Sequence, residues 1–164
     1  MQLNREYTFD ASPQQVYEMF TDEAYVRRRL EQTGSLSSSV DLTRDGDRAQ
    51  IRTHRVLPPR VPAYAKRFVG DTVELDEVQQ WHPAEADGSR EGSFSIAITG
   101  APVRLESIAT LSPTASGSVY RVIGTVTSSV PLFGRKLEEA AAPAVVMALD
   151  KEAEVSRDWL AGRR

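Results

Sequence analysis

"EEAAAPAVVMALDKE", residues 138–152, decides how the C-terminal part of this chain folds. Almost every residue in it favours a helix, yet Pro143 lies in the middle, where a proline removes a backbone hydrogen bond and costs about 3 kcal/mol. Apolar residues recur at intervals of three and four on both sides of the proline, at Leu137, Ala141, Ala144, Val145, Ala148, Val155 and Trp159. The spacing predicts one amphipathic helix over about 132–161, kinked at Pro143 rather than broken there.

The beginning of the chain predicts one strand followed by two short helices. Residues 2–9 alternate between polar and apolar side chains, which is typical of a half-buried strand. Ser12 and Pro13 then form a helix start signal, because the serine can accept from first-turn amides and the proline is preset for helical backbone. Thr21 or Asp22 can begin a second helix in the same way, and Gly34 can end it.

The middle of the chain, from about residue 36 to 130, reads as strands separated by turns. Asp45-Gly46 is a strong signal for the tip of a hairpin. A proline-rich break follows at 58–63, and residues 64–68 can form one helical turn. The close spacing of the remaining strand segments predicts an antiparallel sheet.

These elements predict a single domain over residues 1–164 of the α+β class. A curved antiparallel sheet of about seven strands has one face to bury, and the long C-terminal helix carries the apolar stripe that can cover this concave face. Ser107, Ala109 and Gly124 are small residues on the inward side of their strands. They can either admit the helix closely or leave a cavity, and the sequence leaves both readings open.

The candidate ligand-binding residues are the inward side chains of the strands together with the apolar stripe of the helix. They are Val73, Leu75, Trp81, Phe94, Ile96, Ile98, Leu105, Ala109, Tyr120, Val122, Val126, Ala141, Val145, Ala148 and Leu149.

Three segments carry a resemblance to a known superfamily. "FDASPQQVYEMFTDEAYV" (9–26) resembles the opening of the START and birch-pollen-allergen (SRPBCC) superfamily, and "RFVGDTVELDEVQQW" (67–81) and "VPLFGRKLEEAAA" (130–142) resemble a bacterial START-like branch of unknown function. The resemblance covers essentially the whole chain. It implies the helix-grip fold with a cavity between sheet and helix. Members of the superfamily bind sterols, lipids, plant hormones or polyketides, and a few catalyse cyclisation or hydration.

Three functions follow as hypotheses. The first is binding of an apolar or amphipathic small molecule in the cavity, and the second is a cyclase- or hydratase-like enzyme that uses the same cavity. The enzyme hypothesis requires buried titratable groups, for which the candidates are His54, Arg55, Glu77 and Tyr120. His54 is more simply explained as a surface histidine. The alternation of side chains places Glu77 on the inward side of its strand. The third hypothesis is a protein-interaction domain without a ligand, which predicts a large exposed apolar patch.

The composition excludes several classes of protein. The chain has no cysteine, which excludes a disulfide framework and thiolate metal sites, and its net charge of −3 argues against nucleic-acid binding. No apolar run approaches the roughly 18 residues of a membrane span, and residues 1–10 carry charges where a signal peptide would be apolar. We therefore expect a soluble cytoplasmic protein without metal, cofactor or integral membrane insertion.

Overall fold

The computed structural model describes residues 1–59 and 70–163. Within them the elements, in chain order, are β1 (Gln2–Phe9), α1 (Pro13–Phe20), α2 (Glu23–Gln32), β2 (Ser37–Asp45), β3 (Arg48–Leu57), β4 (Val73–Trp81), β5 (Arg90–Ile98), β6 (Val103–Thr114), β7 (Gly117–Ser128) and α3 (Gly134–Leu160). The helical turn predicted at 64–68 lies outside the described residues.

The strands form one curved antiparallel sheet of seven strands in the order β1-β7-β6-β5-β4-β3-β2. Neighbours in the sheet are neighbours in the chain except for β1, which pairs with β7. This places the two chain-terminal strands side by side, and α3 contacts β7 and β1 as well as α1 and α2. The predicted α+β helix-grip architecture is confirmed.

The two short helices begin where the sequence predicts. Ser12 accepts a hydrogen bond from the backbone N–H of Gln15, whose side chain accepts in return from the N–H of Ser12, so the pair forms a capping box. Of the two residues that could begin α2, the structure selects Asp22, whose carboxylate accepts from the N–H groups of Ala24 and Tyr25.

Two turns differ in detail from the prediction. Asp45 still pairs with Arg48, so the tip of the β2–β3 hairpin consists of Gly46 and Asp47, one residue later than predicted. Gly46 has a φ of 58°, the left-handed conformation that glycine adopts without strain. The composition of residues 112–117 (SPTASG) is also typical of a turn, but strands β6 and β7 extend into this segment and leave only residues 115 and 116 between them.

The long helix α3 continues through Pro143, as predicted, and is two residues shorter at its start and one at its end than the predicted range. The side chain of Pro143 is exposed. Glu139, whose carbonyl group loses its amide partner, is exposed on the same side of the helix. Ala144 was predicted to belong to the buried stripe, but it is exposed. Ala142 is buried instead, because the packed face of α3 includes position 142 and not position 144.

Replacing Pro143 with alanine is expected to raise the free energy of unfolding by about 1–3 kcal/mol, because alanine restores the missing hydrogen bond in a helix interior. Urea denaturation followed by circular dichroism measures the change. The matched control is Ala144→Gly at the neighbouring exposed position, which should cost about 1 kcal/mol. A Pro143→Ala variant less stable than the natural chain would show that the packing of α3 requires the proline.

Candidate ligand-binding site

The strand register brings all the predicted strand residues to one face of the sheet. Leu75 pairs with Ile98, and the next inward pair along the same strands is Glu77 with Ile96. The same face continues through Leu105 of β6, which pairs with Ile96. Alternation in the sequence therefore identified the concave face correctly on each of these strands.

The predicted residues divide into two groups by burial. One group is fully buried and forms part of the hydrophobic core, namely Val73, Trp81, Phe94, Leu105, Ala109, Val122, Val126 and Leu149. The other group is half-buried, namely Leu75, Ile96, Ile98, Tyr120, Ala141, Val145 and Ala148. Only the second group keeps surface that a ligand could contact without rearrangement.

Aromatic rings fill one end of the concave face, which we call the aromatic end. Phe20 lies at its centre, with ring centroids 5.8 Å from Trp81, 5.1 Å from Tyr120 and 6.0 Å from Tyr25. These separations are those of packed aromatic pairs. The aromatic end is therefore a core, although Tyr120 belongs to the predicted ligand-binding set.

Four charged side chains lie next to the aromatic end, and we call them the ion layer (Arg29, Arg55, Glu77 and Glu152). Nη2 of Arg29 donates to Oε1 of Glu77 at 2.6 Å, and its Nη1 donates to Oε2 of Glu152 at 3.2 Å. Nη1 of Arg55 lies 4.0 Å from Oε1 of Glu152. The Arg29 and Glu77 side chains are only 4% and 2% exposed, so this is a buried ion pair that joins α2 to the sheet.

Burial and mutual charge shift the pKa values of Arg29, Arg55 and Glu152. Burial raises the pKa of Glu152 above its usual range, opposed by the charges of Arg29 and Arg55. Burial lowers the pKa of Arg29, but the negative charges of Glu152 and Glu77 raise it more, so the pKa lies above its ordinary value. Burial lowers the pKa of Arg55. Burial and the two neighbouring guanidinium groups therefore act in opposite directions on the pKa of Glu152.

The ion layer has more N–H donors than described acceptors. Within residues 1–59 and 70–163, Nε of Arg29 and Nε of Arg55 are buried without a hydrogen-bond partner, as is the hydroxyl of Thr53. Thr53 is the cross-strand partner of Glu77, so the three groups belong to one region of the concave face. Buried donors without partners are rare in proteins, and they suit an oxygen acceptor from a water or a ligand.

A cavity of about 20 Å³ lies between the aromatic end and the ion layer. It has room for about one water molecule. Its lining consists of Tyr7, Phe9, Phe20, Tyr25, Arg29, Gln79, Tyr120, Leu149, Glu152, Ala153 and Ser156. An apolar molecule of lipid size does not fit this cavity, so the expected large cavity is absent from this position.

The catalytic candidates from the sequence are only partly brought together. Arg55 and Glu77 are buried on the concave face, and Tyr120 lines the small cavity. His54 points to the outer face, where its Nδ1 lies 3.0 Å from the carboxylate of Asp76, as expected for a surface histidine. Burial strongly raises the pKa of Tyr120.

Sequence reasoning missed Arg29 and Glu152. Glu152 follows Ala148 by four residues and precedes Ser156 by four, so it interrupts the apolar stripe of α3 on its buried side. Arg29 follows Tyr25 by four residues on the buried face of α2. The available signal in the sequence was a charged residue at a position where the apolar stripe of the helix continues. The sequence could not show that Arg29 and Glu152 bind each other, because the two helices are far apart in the chain.

Among the described residues, no group of three or more histidine, aspartate or glutamate side chains is placed to hold a metal ion. Nor does any helix in this part of the chain combine the length and apolarity that crossing a bilayer requires.

The helix-grip fold of this chain is shared with a STAR-related lipid transfer protein and with Ara h 8.0201. Residues 5–160 match the family described as "Protein of unknown function (DUF2505)", and the chain belongs to this family. No curated protein sequence is significantly similar to this chain.

Solved structures share the fold at low sequence identity. The protein TTHA0849 from Thermus thermophilus is 18% identical, with a TM-score of 0.64, over 96% of this chain and 95% of its own. The STAR-related lipid transfer protein from Xanthomonas axonopodis is 16% identical, with a TM-score of 0.58, over 97% of this chain and 85% of its own. Ara h 8.0201 is 12% identical, with a TM-score of 0.58, over 99% and 98% of the two chains.

Replacing Glu77 with glutamine is expected to lower the free energy of unfolding by about 3 kcal/mol, because it leaves the buried charge of Arg29 with one partner fewer. Chemical denaturation measures the loss. Glu74→Gln is the matched control, since Glu74 lies on the outer face of the same strand and is exposed. It should change stability by less than about 0.5 kcal/mol. Equal effects from the two variants would contradict a buried ion pair.

The raised pKa of Glu152 predicts a pH dependence of stability. Because the folded state favours the protonated carboxyl, its contribution is present below the ordinary pKa of 4.5 and is lost as the pH rises through the higher folded value. The natural chain should therefore lose stability relative to Glu152→Gln as the pH rises from 4.5. Denaturation of both proteins across this range measures the difference. A difference that stays constant or changes in the opposite direction contradicts the prediction.

Proposed function

We propose that this protein binds an apolar or amphipathic small molecule between β4–β5 and α3. The apolar body of the ligand lies against the apolar flank, which we define as Leu75, Ile96, Ile98, Ala141 and Val145. Its polar end reaches the ion layer. The proposal rests on one observation. On both β4 and α3, half-buried apolar side chains come first along the chain and a charged side chain of the ion layer follows.

The order is visible along two elements. On β4, Leu75 of the apolar flank comes directly before Glu77 in the inward series. On α3, Val145 comes two turns before Glu152. Since Glu77 and Glu152 both bind Arg29, the two series meet at the same charge. A molecule lying along them would have apolar walls over most of its length and hydrogen-bonding groups at one end, which is the usual design of a small-molecule site.

The proposed position of the ligand is away from the aromatic end. The fully buried members of the predicted set support the site as part of its rigid wall, and the small cavity next to Tyr120 has room only for a water-sized group. The side chains of the apolar flank remain partly exposed to solvent. The spare N–H donors of Arg29 and Arg55 suit a hydroxyl, carbonyl or carboxylate oxygen at the end of the ligand.

Similarity to other proteins supports a lipid-like ligand. One structure with the same fold is named a STAR-related lipid transfer protein, although at 16% identity the likeness extends to the fold alone. We also propose that the protein is located in the cytoplasm.

A tryptophan in the apolar flank is expected to weaken ligand binding by about tenfold or more, because it occupies the space of the ligand body. Val145→Trp makes this change on α3, and Met147→Trp is the matched control on the exposed side of the same helix. The affinity of purified protein for 1-anilinonaphthalene-8-sulfonate, and its displacement by a long-chain alcohol, measure the effect. Equal affinities in both variants, with unchanged stability, would exclude the apolar flank as the site.

The ligand itself can be identified by native mass spectrometry of protein purified from its own cell. A retained molecule with an apolar body and a polar end is the expected result. If the protein carries no small molecule and binds no apolar probe, the proposed function is wrong.

A second candidate is an enzyme of the cyclase or hydratase kind. It is favoured by one observation, that Glu152 with its raised pKa and Tyr120 line the same water-sized cavity. The carboxyl group of Glu152 is placed to exchange a proton with the polar end of a bound molecule. Incubating the protein with the recovered molecule separates the two functions, since binding leaves its mass spectrum unchanged and catalysis produces a new compound.

A further inference from the structure

The two ends of the sheet differ in the apolar side chains that they expose. We call the open end the one where β3 ends and β4 begins, together with the segments at 34–36, 99–102 and 129–133. Leu36, Leu132 and Phe133 are exposed there, and Leu132 is 99% exposed. At the opposite end, the connections 10–12, 46–47, 82–89 and 115–116 contain no leucine, isoleucine, valine, methionine, phenylalanine, tyrosine or tryptophan. Among the connections between the described strands and helices, the exposed large apolar side chains therefore lie at the open end.

Leu132 is held in an unfavourable backbone conformation. Its φ is 65°, and it is the one described residue other than glycine with a positive φ. A leucine pays a steric penalty there, because its Cβ crowds the following carbonyl group. A strained residue whose side chain is in water contributes nothing to packing in the isolated protein, which favours a role for Leu132 outside the fold.

Hydrogen bonds fix the segment on both sides of Leu132. The N–H of Ser129 donates to the carbonyl of Pro102 at 3.1 Å, and the N–H of Gly134 donates to the carbonyl of Val130 at 2.8 Å. The N–H of Ser128 also donates to the carboxylate of Glu138, 3.0 Å away. The segment 129–133 is therefore a supported projection rather than a loose end.

We propose that the open end docks on the surface of a lipid bilayer, with Leu132 and Phe133 inserted between the lipids. Basic side chains follow directly in the chain. Arg135 is 91% exposed, and its bond to Glu139 is an exposed pair within one helix turn, which is weak enough to exchange for a lipid phosphate. Lys136 is also exposed. Apolar residues followed by basic ones are the composition of segments that lie in a membrane interface.

A bilayer fits this surface better than a folded partner. Stable protein interfaces bury roughly 800 Å² on each side in a continuous patch. The open end instead offers separate apolar points, with Leu36 on a different connection from Leu132. A fluid bilayer adapts to isolated projections of this kind, and it presents no fixed surface that must be complementary.

Docking in this orientation would bring the apolar flank close to the lipid. Leu75 and Ile98 are near the open ends of β4 and β5, and α3 starts directly after the projecting segment. A molecule that leaves the bilayer would then reach the flank without crossing water. This last step depends on the proposed function, whereas docking itself does not.

Flotation of the full chain with vesicles of phosphatidylcholine, with and without phosphatidylglycerol, tests the proposal. We expect the natural chain to float with the vesicles, more strongly when phosphatidylglycerol is present. Leu132→Gly should reduce the partition coefficient by about tenfold, because it removes the inserted side chain. Glycine also relieves the left-handed strain, so the thermal midpoint of this variant should stay the same or rise.

The matched control is Met147→Ala, which removes another exposed apolar side chain, 65% exposed on α3, without disturbing the helix. Its partition coefficient should equal that of the natural chain. The proposal is overturned if the natural chain fails to float with either vesicle, if both variants lose binding equally, or if light scattering detects a dimer that Leu132→Gly dissociates. Affinity for 1-anilinonaphthalene-8-sulfonate without vesicles should be unchanged in Leu132→Gly, so failure of docking and failure of ligand binding are separate results.

Discussion

The buried ion pair between Arg29 and Glu77 is the feature that fixes the arrangement of the concave face. An unpaired charge cannot be buried at this depth, so α2 and β4 must hold their positions relative to each other. Glu152 brings α3 to the same guanidinium group. Three elements that are remote in sequence thus meet at one charge, and the packing on either side of it follows from that meeting point.

The ion layer divides the interior into two parts with different physical roles. On one side, Phe20 and its aromatic neighbours fill the space between sheet and helices, so this half provides stability. On the other side, the apolar flank is less completely covered, because the main contacts of α3 with the sheet are with β7 and β1. A sheet curved around one helix leaves its far strands less covered, because the helix is narrower than the sheet. That geometry, more than any single residue, creates the proposed site.

The amount that could be predicted differs between the fold and the site. Strand faces were predictable because side chains alternate strictly, so Leu75 and Ile96 could be placed on the inner face from their parity alone. Glu77 could be placed there by the same rule. What parity could not indicate was the degree of burial, since Trp81 and Leu75 share a face and yet only Trp81 belongs to the closed core. The small inward residues were equally ambiguous, and Ser107 proves to be a buried residue that donates to the carbonyl of Phe94.

Local sequence was enough to predict the order of the elements, the starts of the short helices and the continuity of α3 through Pro143, because each depends on residues within a few positions of one another. Only the folded chain reveals that Arg29, Glu77 and Glu152 share one site, and that the space beside Tyr120 has room for about one water molecule. Both depend on distances between segments separated by tens of residues, and a local pattern carries no record of such distances.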